Sequence, residues 1–170
     1  MSDVFDPPTA AQIAEIARFN ARLLYRVAFG IVRHPQTAED LCQDALVKLI
    51  ANPRLVAGVE KVTSWLISTT TNGAFEFYRR KKAETAAMQN RSPVEAVSAG
   101  SADFLLREKL LQKLDELEPG IREVVVLRVM QGLSGKEVQS LLSLSQAEIS
   151  RRLQGGLERL RRALSDGEGP

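Results

Sequence analysis

Two serine–glutamate pairs, eleven residues apart, constrain this chain more tightly than anything else in it. Ser134-Gly135-Lys136-Glu137 and Ser145-Gln146-Ala147-Glu148 each read Ser-x-x-Glu. In that pattern the serine hydroxyl satisfies one free N–H of a first helical turn, and the glutamate reaches back to another. Two helix starts so close leave room for one short helix, a tight turn and a second helix. Val138, Leu141 and Leu142 give the first an apolar side, and Leu144, Ile149, Leu153, Leu157, Leu160 and Leu164 give the second a longer one. The outline is helix-turn-helix, in which the second helix lies in a DNA major groove with its N-terminal residues against base edges. Gln146, Ala147, Glu148, Ser150, Arg151 and Arg152 then face outward near the bases, with Arg159, Arg161 and Arg162 nearer phosphate. A plain helical hairpin fits the same spacing. The arginines favour the DNA reader, because Ile149 to Leu164 holds five of them against one acid, Glu158.

The remaining text is helical too. Thr9-Ala10-Ala11-Gln12 is a third capping box, and Ile13, Ile16, Ala17, Leu23, Leu24, Val27, Ala28 and Ile31 follow at helical spacing until His34-Pro35. His34 is the only histidine, at a position suited to capping rather than catalysis. A second helix is predicted from Thr37 to about Ala51, with Leu41, Ala45, Leu46, Leu49 and Ile50 inside. Glu39, Asp40, Gln43 and Asp44 lie outside, where an acidic first turn complements the helix dipole and the rest forms a solvated face. Pro53 and Gly58 break the pattern between Asn52 and Thr63. A third helix should run from Ser64 through Lys82, with Trp65, Leu66, Thr69, Phe75 and Tyr78 inward and Ser68, Thr70, Thr71, Asn72 and Glu76 polar. It closes on Arg79-Arg80-Lys81-Lys82, more cations than capping needs, beside aromatics and an amide that could stack on or hydrogen-bond to unpaired bases.

The text from Ala83 to Ala102 is poor in large apolar residues and reads as a flexible tether, with a helical beginning possible. Helices resume over Asp103–Leu117, Gly120–Gln131, Ser134–Leu142 and Ser145–Ser165, with Pro119 at a helix start and Gly132 at a C-cap. The fold class is therefore all-α: a helical domain over residues 1–82, a linker over 83–102 and a second helical domain over 103–170. With a formal net charge of +2, the distribution of charge rather than its sum carries the nucleic-acid argument. Cys42 is the single cysteine, so an intrachain disulfide or thiolate metal cluster is excluded and a reducing cytoplasm fits. No apolar run reaches membrane-spanning length, and the first residues do not read as a secretion signal. With no metal-spaced ligand set, Gly-rich phosphate loop or general-base constellation, no metal, cofactor, catalytic residue or enzymatic activity is expected.

Taken in order, these stretches resemble the extracytoplasmic-function (group 4) sigma factors of bacterial RNA polymerase. The matching text runs from about Leu23 to Leu164: Leu24-Tyr25-Arg26-Val27-Ala28, Ala38 to Asp44, Ser64-Trp65-Leu66, Asn72 and Arg79-Arg80, then Leu117-Glu118-Pro119, Arg122 to Arg128, Gly132-Leu133-Ser134 and the two reader helices. The resemblance implies a region-2-like bundle and a region-4-like helix-turn-helix domain. It implies that Glu39, Asp40, Gln43 and Asp44 dock on the coiled coil of the largest polymerase subunit, in place of the solvated-face reading. Trp65 to Lys82 would melt and hold the promoter −10 element, with Asn72 on the strand and Arg79, Arg80, Lys81 and Lys82 on its phosphates. The pocket for a captured base would come from the 52–63 loop. Gln146, Ser150, Arg151 and Arg152 would read the −35 element as duplex. Core polymerase and promoter DNA are the implied partners, and an anti-sigma factor is common in the family.

Several positions depart from the family pattern. Thr69-Thr70-Thr71 replaces the more usual Ile-Ala-basic run. Ser143 stands where a turn glycine is usual, and a left-handed residue there would be mildly strained. Gln139 stands where a small residue is preferred. Gly155-Gly156 falls inside the recognition helix, at about 1 kcal/mol per glycine relative to alanine, and predicts a kink or fraying there with a weakened −35 preference. A helix-turn-helix regulator that binds duplex DNA without polymerase, and a helical adaptor that sequesters a partner, are the competing readings.

Overall fold

A computed structural model describes residues 6–89 and 101–165. Seven α-helices make up most of it: α1 Ala10–Val32, α2 Pro35–Ala51, α3 Val62–Gln89, α4 Ala102–Asp115, α5 Pro119–Val125, α6 Gly135–Leu142 and α7 Gln146–Ser165. The capping box at Thr9 forms as its sequence predicts, with Gln12 N–H on the threonine hydroxyl and the Gln12 side chain on Thr9 N–H. Arg33 then ends α1 in the left-handed conformation, φ 55°, its N–H donating to Phe29 O. His34 does cap, but it caps the start of α2, where its Nδ1 accepts from Thr37 N–H and Pro35 takes the first turn. The helix therefore begins two residues earlier than the acidic turn alone suggested.

Helices α1, α2 and α3 pack as one bundle over Ile13, Leu24, Val27, Ile31, Leu49, Leu66, Ile67 and Phe75, all nearly or wholly buried. Each fully buried aliphatic or aromatic side chain of this size stabilises by about 1.5–3 kcal/mol, so the bundle rests on its apolar stripes. Three expectations need correction. Helix α3 starts at Val62 and continues to Gln89, taking up the first part of the predicted tether; the part over 90–100 lies outside the described residues. Thr70 and Thr71 are buried, not outward, because the inward stripe of α3 advances through Leu66, Ile67, Thr70, Thr71, Ala74 and Phe75. Ile50 is 37% exposed at the far end of α2, beyond the reach of the bundle.

The second half is built on α5 and α7. Pro119 opens α5, which passes into one wide turn over Val126–Met130, where Gln131 N–H reaches back to Val126 O. Gly132 turns the chain at φ 68°, and α6 starts on a complete Ser134–Glu137 capping box. Ser143 adopts the left-handed conformation anticipated for it, φ 53°. Leu111, Leu114, Val124, Val125, Leu127, Val138, Ile149 and Leu160 form the inner face. Leu157 does not join them, being 41% exposed.

The glycine pair in α7 has a different meaning from the one its propensity suggested. The helix runs unbroken from Gln146 to Ser165. A Cβ on Gly156 would lie 2.6 Å from Val125 Cγ2 and 2.9 Å from Ile121 Cγ2, so α5 and α7 approach through it, whereas Gly155 faces open space. The close packing recovered at Gly156 holds a helix that local propensity would loosen.

Candidate nucleic-acid interface

Three surfaces carry the residues singled out by sequence. On α2, Glu39, Asp40, Gln43 and Asp44 are all exposed, opposite Ala38, Ala45 and Leu49 on the buried side. Their spacing repeats every turn, so they form a continuous acidic strip; Gln36 steadies it by donating to Asp40 Oδ1 at 3.1 Å. Val47, one turn on from Gln43, extends the strip with an apolar side chain 63% exposed, a combination helical periodicity alone left unmarked. Cys42 sits behind it, half-buried, its thiol pushed up to about 11 by burial and by Glu39.

The second surface is the outer side of α3. Asn72, Arg79, Arg80, Lys81 and Lys82 are exposed along it. Arg80 and Lys81 are open to solvent, with Arg80 lying 5.6 Å over the Phe77 ring. The others are engaged by the second half of the chain. Arg79 Nη1 is 2.6 Å from Asp115 Oδ1, Lys82 Nζ donates to Gln112 Oε1 at 2.9 Å, and Asn72 Oδ1 accepts from Arg122 Nη2 at 2.8 Å. Tyr78 donates its hydroxyl to Glu108 at 3.1 Å, and burial with the Glu108 charge pushes the phenol up to about 12. Lys81 and Lys82 also border a cleft of about 530 Å³ where the ends of α1, α3 and α4 meet, floored by Ile31 and Phe77.

Arg122 is the residue that sequence reasoning passed over. It falls in the stretch that carries the family resemblance, but nothing in its sequence neighbourhood marks it as buried. In the fold it is 5% exposed, bonded to Asp115 Oδ1 at 3.0 Å and to Asn72, with its guanidinium 4.5 Å over the Phe75 ring. Burial lowers its pKa and the Asp115 charge opposes that shift. Its Nε, like the Thr70 and Thr71 hydroxyls nearby, has no hydrogen-bond partner among the described residues. A buried polar group without a partner is costly. Glu123, one residue on and 8% exposed, has its carboxyl raised by burial, against the favourable effects of Ser68, Arg122 and Arg152.

The third surface is the start of α7. Gln146, Ala147, Ser150 and Arg151 are exposed on one side, as the helix-turn-helix outline requires. Only half of the second capping box forms. Ser145 Oγ accepts from Glu148 N–H at 3.1 Å, but the Glu148 carboxylate turns to Arg151 and Arg152 instead of reaching back. Arg152 is consequently half-buried, against Glu148 and Gly120 O, rather than projecting freely. Gln139 bonds across the turn by accepting from Gln146 Nε2 at 2.9 Å, which fixes the Gln146 side chain from the preceding helix. Further along, Arg159 faces Glu118 across 3.5 Å, whereas Arg161 and Arg162 flank Glu158.

Among the described residues no helix is long and apolar enough to cross a membrane, and no group of acids, histidines and cysteines is placed to hold a metal ion. The sequence matches the model for sigma-70 region 2 over residues 16–84 and the model for ECF sigma factors over residues 78–166. It is 25% identical over 137 residues to RNA polymerase sigma factor SigV of Bacillus subtilis (strain 168), covering 81% of each chain. It is 28% identical over 166 residues to RNA polymerase sigma factor CarQ of Myxococcus xanthus, covering 96% of this chain and 91% of that one. Among solved structures, that of CnrH in complex with the cytosolic domain of CnrY is alike in fold, with a TM-score of 0.50 at 21% identity over 94% of this chain and 98% of the other.

Proposed function

This chain belongs to the extracytoplasmic-function (ECF) sigma factors, which direct RNA polymerase to promoters, and we propose how its three surfaces divide that work. The acidic strip of α2 docks on core polymerase, the outer side of α3 takes the melted −10 strand, and the start of α7 reads the −35 duplex. The observation that carries this division is the placement of the three residue sets on separate exposed faces, in the order in which the two family matches run. Melting requires a protein that binds single strands better than duplex. Captured bases and a cation-held backbone supply that difference without any bond being made or broken. Gln146, Ser150 and Arg151 are the direct base readers, and Arg152, drawn back by Glu148, acts by positioning the helix. Two weak sites on one chain raise each other's effective concentration, which is how so small a factor selects a promoter.

As a sigma factor the chain is a regulator of transcription; that it does no covalent chemistry and works in the cytoplasm belongs to the same proposal, as does an anti-sigma partner. The test is run-off transcription with bacterial core polymerase over genomic fragments. Discrete transcripts that require the added chain support the reading. Core enzyme left equally unselective with and without it on every template would end it.

A further inference from the structure

We propose that Gln139 of α6 is a positioning residue for promoter recognition: it holds the Gln146 carboxamide so that Gln146 selects adenine at one position of the −35 duplex. This deepens the reading of the start of α7 as the duplex reader, and rests on it. Gln146 is the first residue of α7, and Gln139 lies in α6 across a turn through Ser143, whose backbone is left-handed. Both residues are exposed, yet their side chains are bonded to each other, Gln146 Nε2 donating to Gln139 Oε1 at 2.9 Å. The Gln146 oxygen lies against the first turn of α6, where a Cβ on Gly135 would come within 2.8 Å of it. Because the Cα–Cβ direction of a helical residue tilts toward the N-terminus, that oxygen sits at the positive end of α6. An oxygen is favoured there and an NH2 group is not. The helix end and Gln139 therefore impose the same orientation on one amide.

An unrestrained glutamine can turn its amide over and offer oxygen or NH2 at either place, which makes it a poor judge of a base edge. Held at both ends, Gln146 cannot. A carboxamide has one acceptor oxygen and two N–H donors. With one N–H taken by Gln139, the oxygen and the remaining N–H are left side by side. Adenine is the base whose major-groove edge complements that pair, its N6 amino group donating and its N7 accepting. Guanine sets O6 where adenine has the amino group, so the fixed oxygen would meet another acceptor. Cytosine offers an amino donor without N7, and thymine an acceptor beside a methyl group, so each forms only one of the two bonds.

The experiment uses the full chain with bacterial core polymerase, on a promoter recovered by run-off transcription over genomic fragments. Each −35 base pair is replaced in turn by the other three. One position should favour adenine by about tenfold, within the range of a bidentate contact. There, 7-deazaadenine, which lacks the N7 acceptor, should lower transcription by the parent chain and make no difference to Gln146→Ala. Gln139→Ala should erase most of the preference, chiefly by admitting guanine, with the melting temperature of the parent because the lost bond is exposed. Gln139→Glu keeps an acceptor for Nε2 and should restore the preference, even as its charge lowers transcription from every template alike. A preference for any base but adenine that Gln146→Ala erases overturns the proposal, guanine in particular meaning an amide turned the other way. So does an adenine preference indifferent to N7, one that Gln139→Ala leaves untouched, or one that Gln139→Glu fails to restore. In those cases α7 remains the reader of the duplex. If Gln146→Ala, Ser150→Ala and Arg151→Ala together alter no −35 preference, the reading of α7 falls and the proposal falls with it.

Discussion

Adding one methyl group at either of two adjacent positions should move stability in opposite directions. Gly155 and Gly156 both sit in the middle of α7, so replacing either with alanine removes the same backbone entropy cost, about 0.5–1 kcal/mol. At Gly155 nothing lies within 4 Å of the new Cβ, so the gain is realised in full. For a protein of this size that raises the melting temperature by about 1–4 °C. At Gly156 the methyl would fall 2.6 Å from one branch of Val125 and 2.9 Å from one branch of Ile121. Val125 is 1% exposed and β-branched, so it cannot swing away. Overpacking of this kind costs about 1–3 kcal/mol, which offsets the helical gain and leaves Gly156→Ala up to about 2 kcal/mol below the parent. Relief comes mainly from moving α7 off α5, and α7 carries the residues proposed to face the bases. Thermal unfolding followed by circular dichroism measures the first effect, and run-off transcription from a −35-dependent promoter the second. Gly155→Ala should melt higher with recognition kept, and Gly156→Ala should melt lower with recognition weakened. Equal shifts of the same sign would refute the close-approach argument and return the pair to simple helix propensity.

Three other outcomes are expected. Asp40→Lys with Asp44→Lys should abolish retention by core polymerase in a pull-down, since both carboxylates are exposed on the α2 strip; undiminished retention removes that strip from the docking surface. Arg79→Ala with Arg80→Ala should leave retention intact and weaken open-complex formation seen by permanganate footprinting. The salt dependence of single-strand binding should then flatten by roughly 0.7 in log–log slope per lost phosphate contact. Glu123 predicts a pH effect: an acid whose pKa is raised in the folded chain destabilises it while ionised, so the cost is in force above the folded-state pKa and disappears as pH falls toward the ordinary carboxylate range. Glu123→Gln should therefore melt above the parent at neutral pH and converge with it on acidification, and a constant difference across that window would contradict the burial account.

The helices themselves were legible because their determinants are local. Thr9–Gln12 and Ser134–Glu137 make the hydrogen bonds that their spacing foretells, and the residues of the acidic strip fall on one exposed face because α2 keeps its period. What escaped is whatever depends on a second segment. Glu148 abandons its half of a capping box because two arginines, three and four residues on, offer it charge-assisted bonds. Thr70 and Thr71 are polar by type and buried by phase. Gly156 looks like a flaw along α7 and is a contact point once α5 is laid beside it. The burial of Arg122 has no local sequence signal, since two of its three partners, Asn72 and Phe75, lie some fifty residues earlier. The same limit applies to the outer side of α3, where the cations were evident and the contacts of Arg79 with Asp115 and Lys82 with Gln112 were not.

Polar contacts are distributed unevenly along the chain, and their worth differs with burial. Inside each half the buried groups are aliphatic, and separating α5 from α7 or α1 from α3 would expose Val125, Ile149, Leu66 and their neighbours to water. Between the halves, where α5 and α6 pack on α3 within the same apolar cluster, polar bonds are added: Arg107 on the carbonyls of Gly30 and Ile31, Arg26 on Gln131, Tyr78 on Glu108, Lys82 on Gln112, Arg79 on Asp115. Exposed ion pairs and ordinary hydrogen bonds exchange for water at about 0.2–1.5 kcal/mol each, so these polar bonds add little beside the apolar packing. Arg122 looks like the exception, because deleting the partner of a buried cation costs about 3–5 kcal/mol. Opening the seam is not the same perturbation. It takes Arg122 away from Asn72 but leaves Asp115 beside it and lets water reach its unbonded Nε, so the charge is hydrated rather than orphaned. Removing Asp115 should consequently cost more than exchanging any of the exposed polar bonds for water.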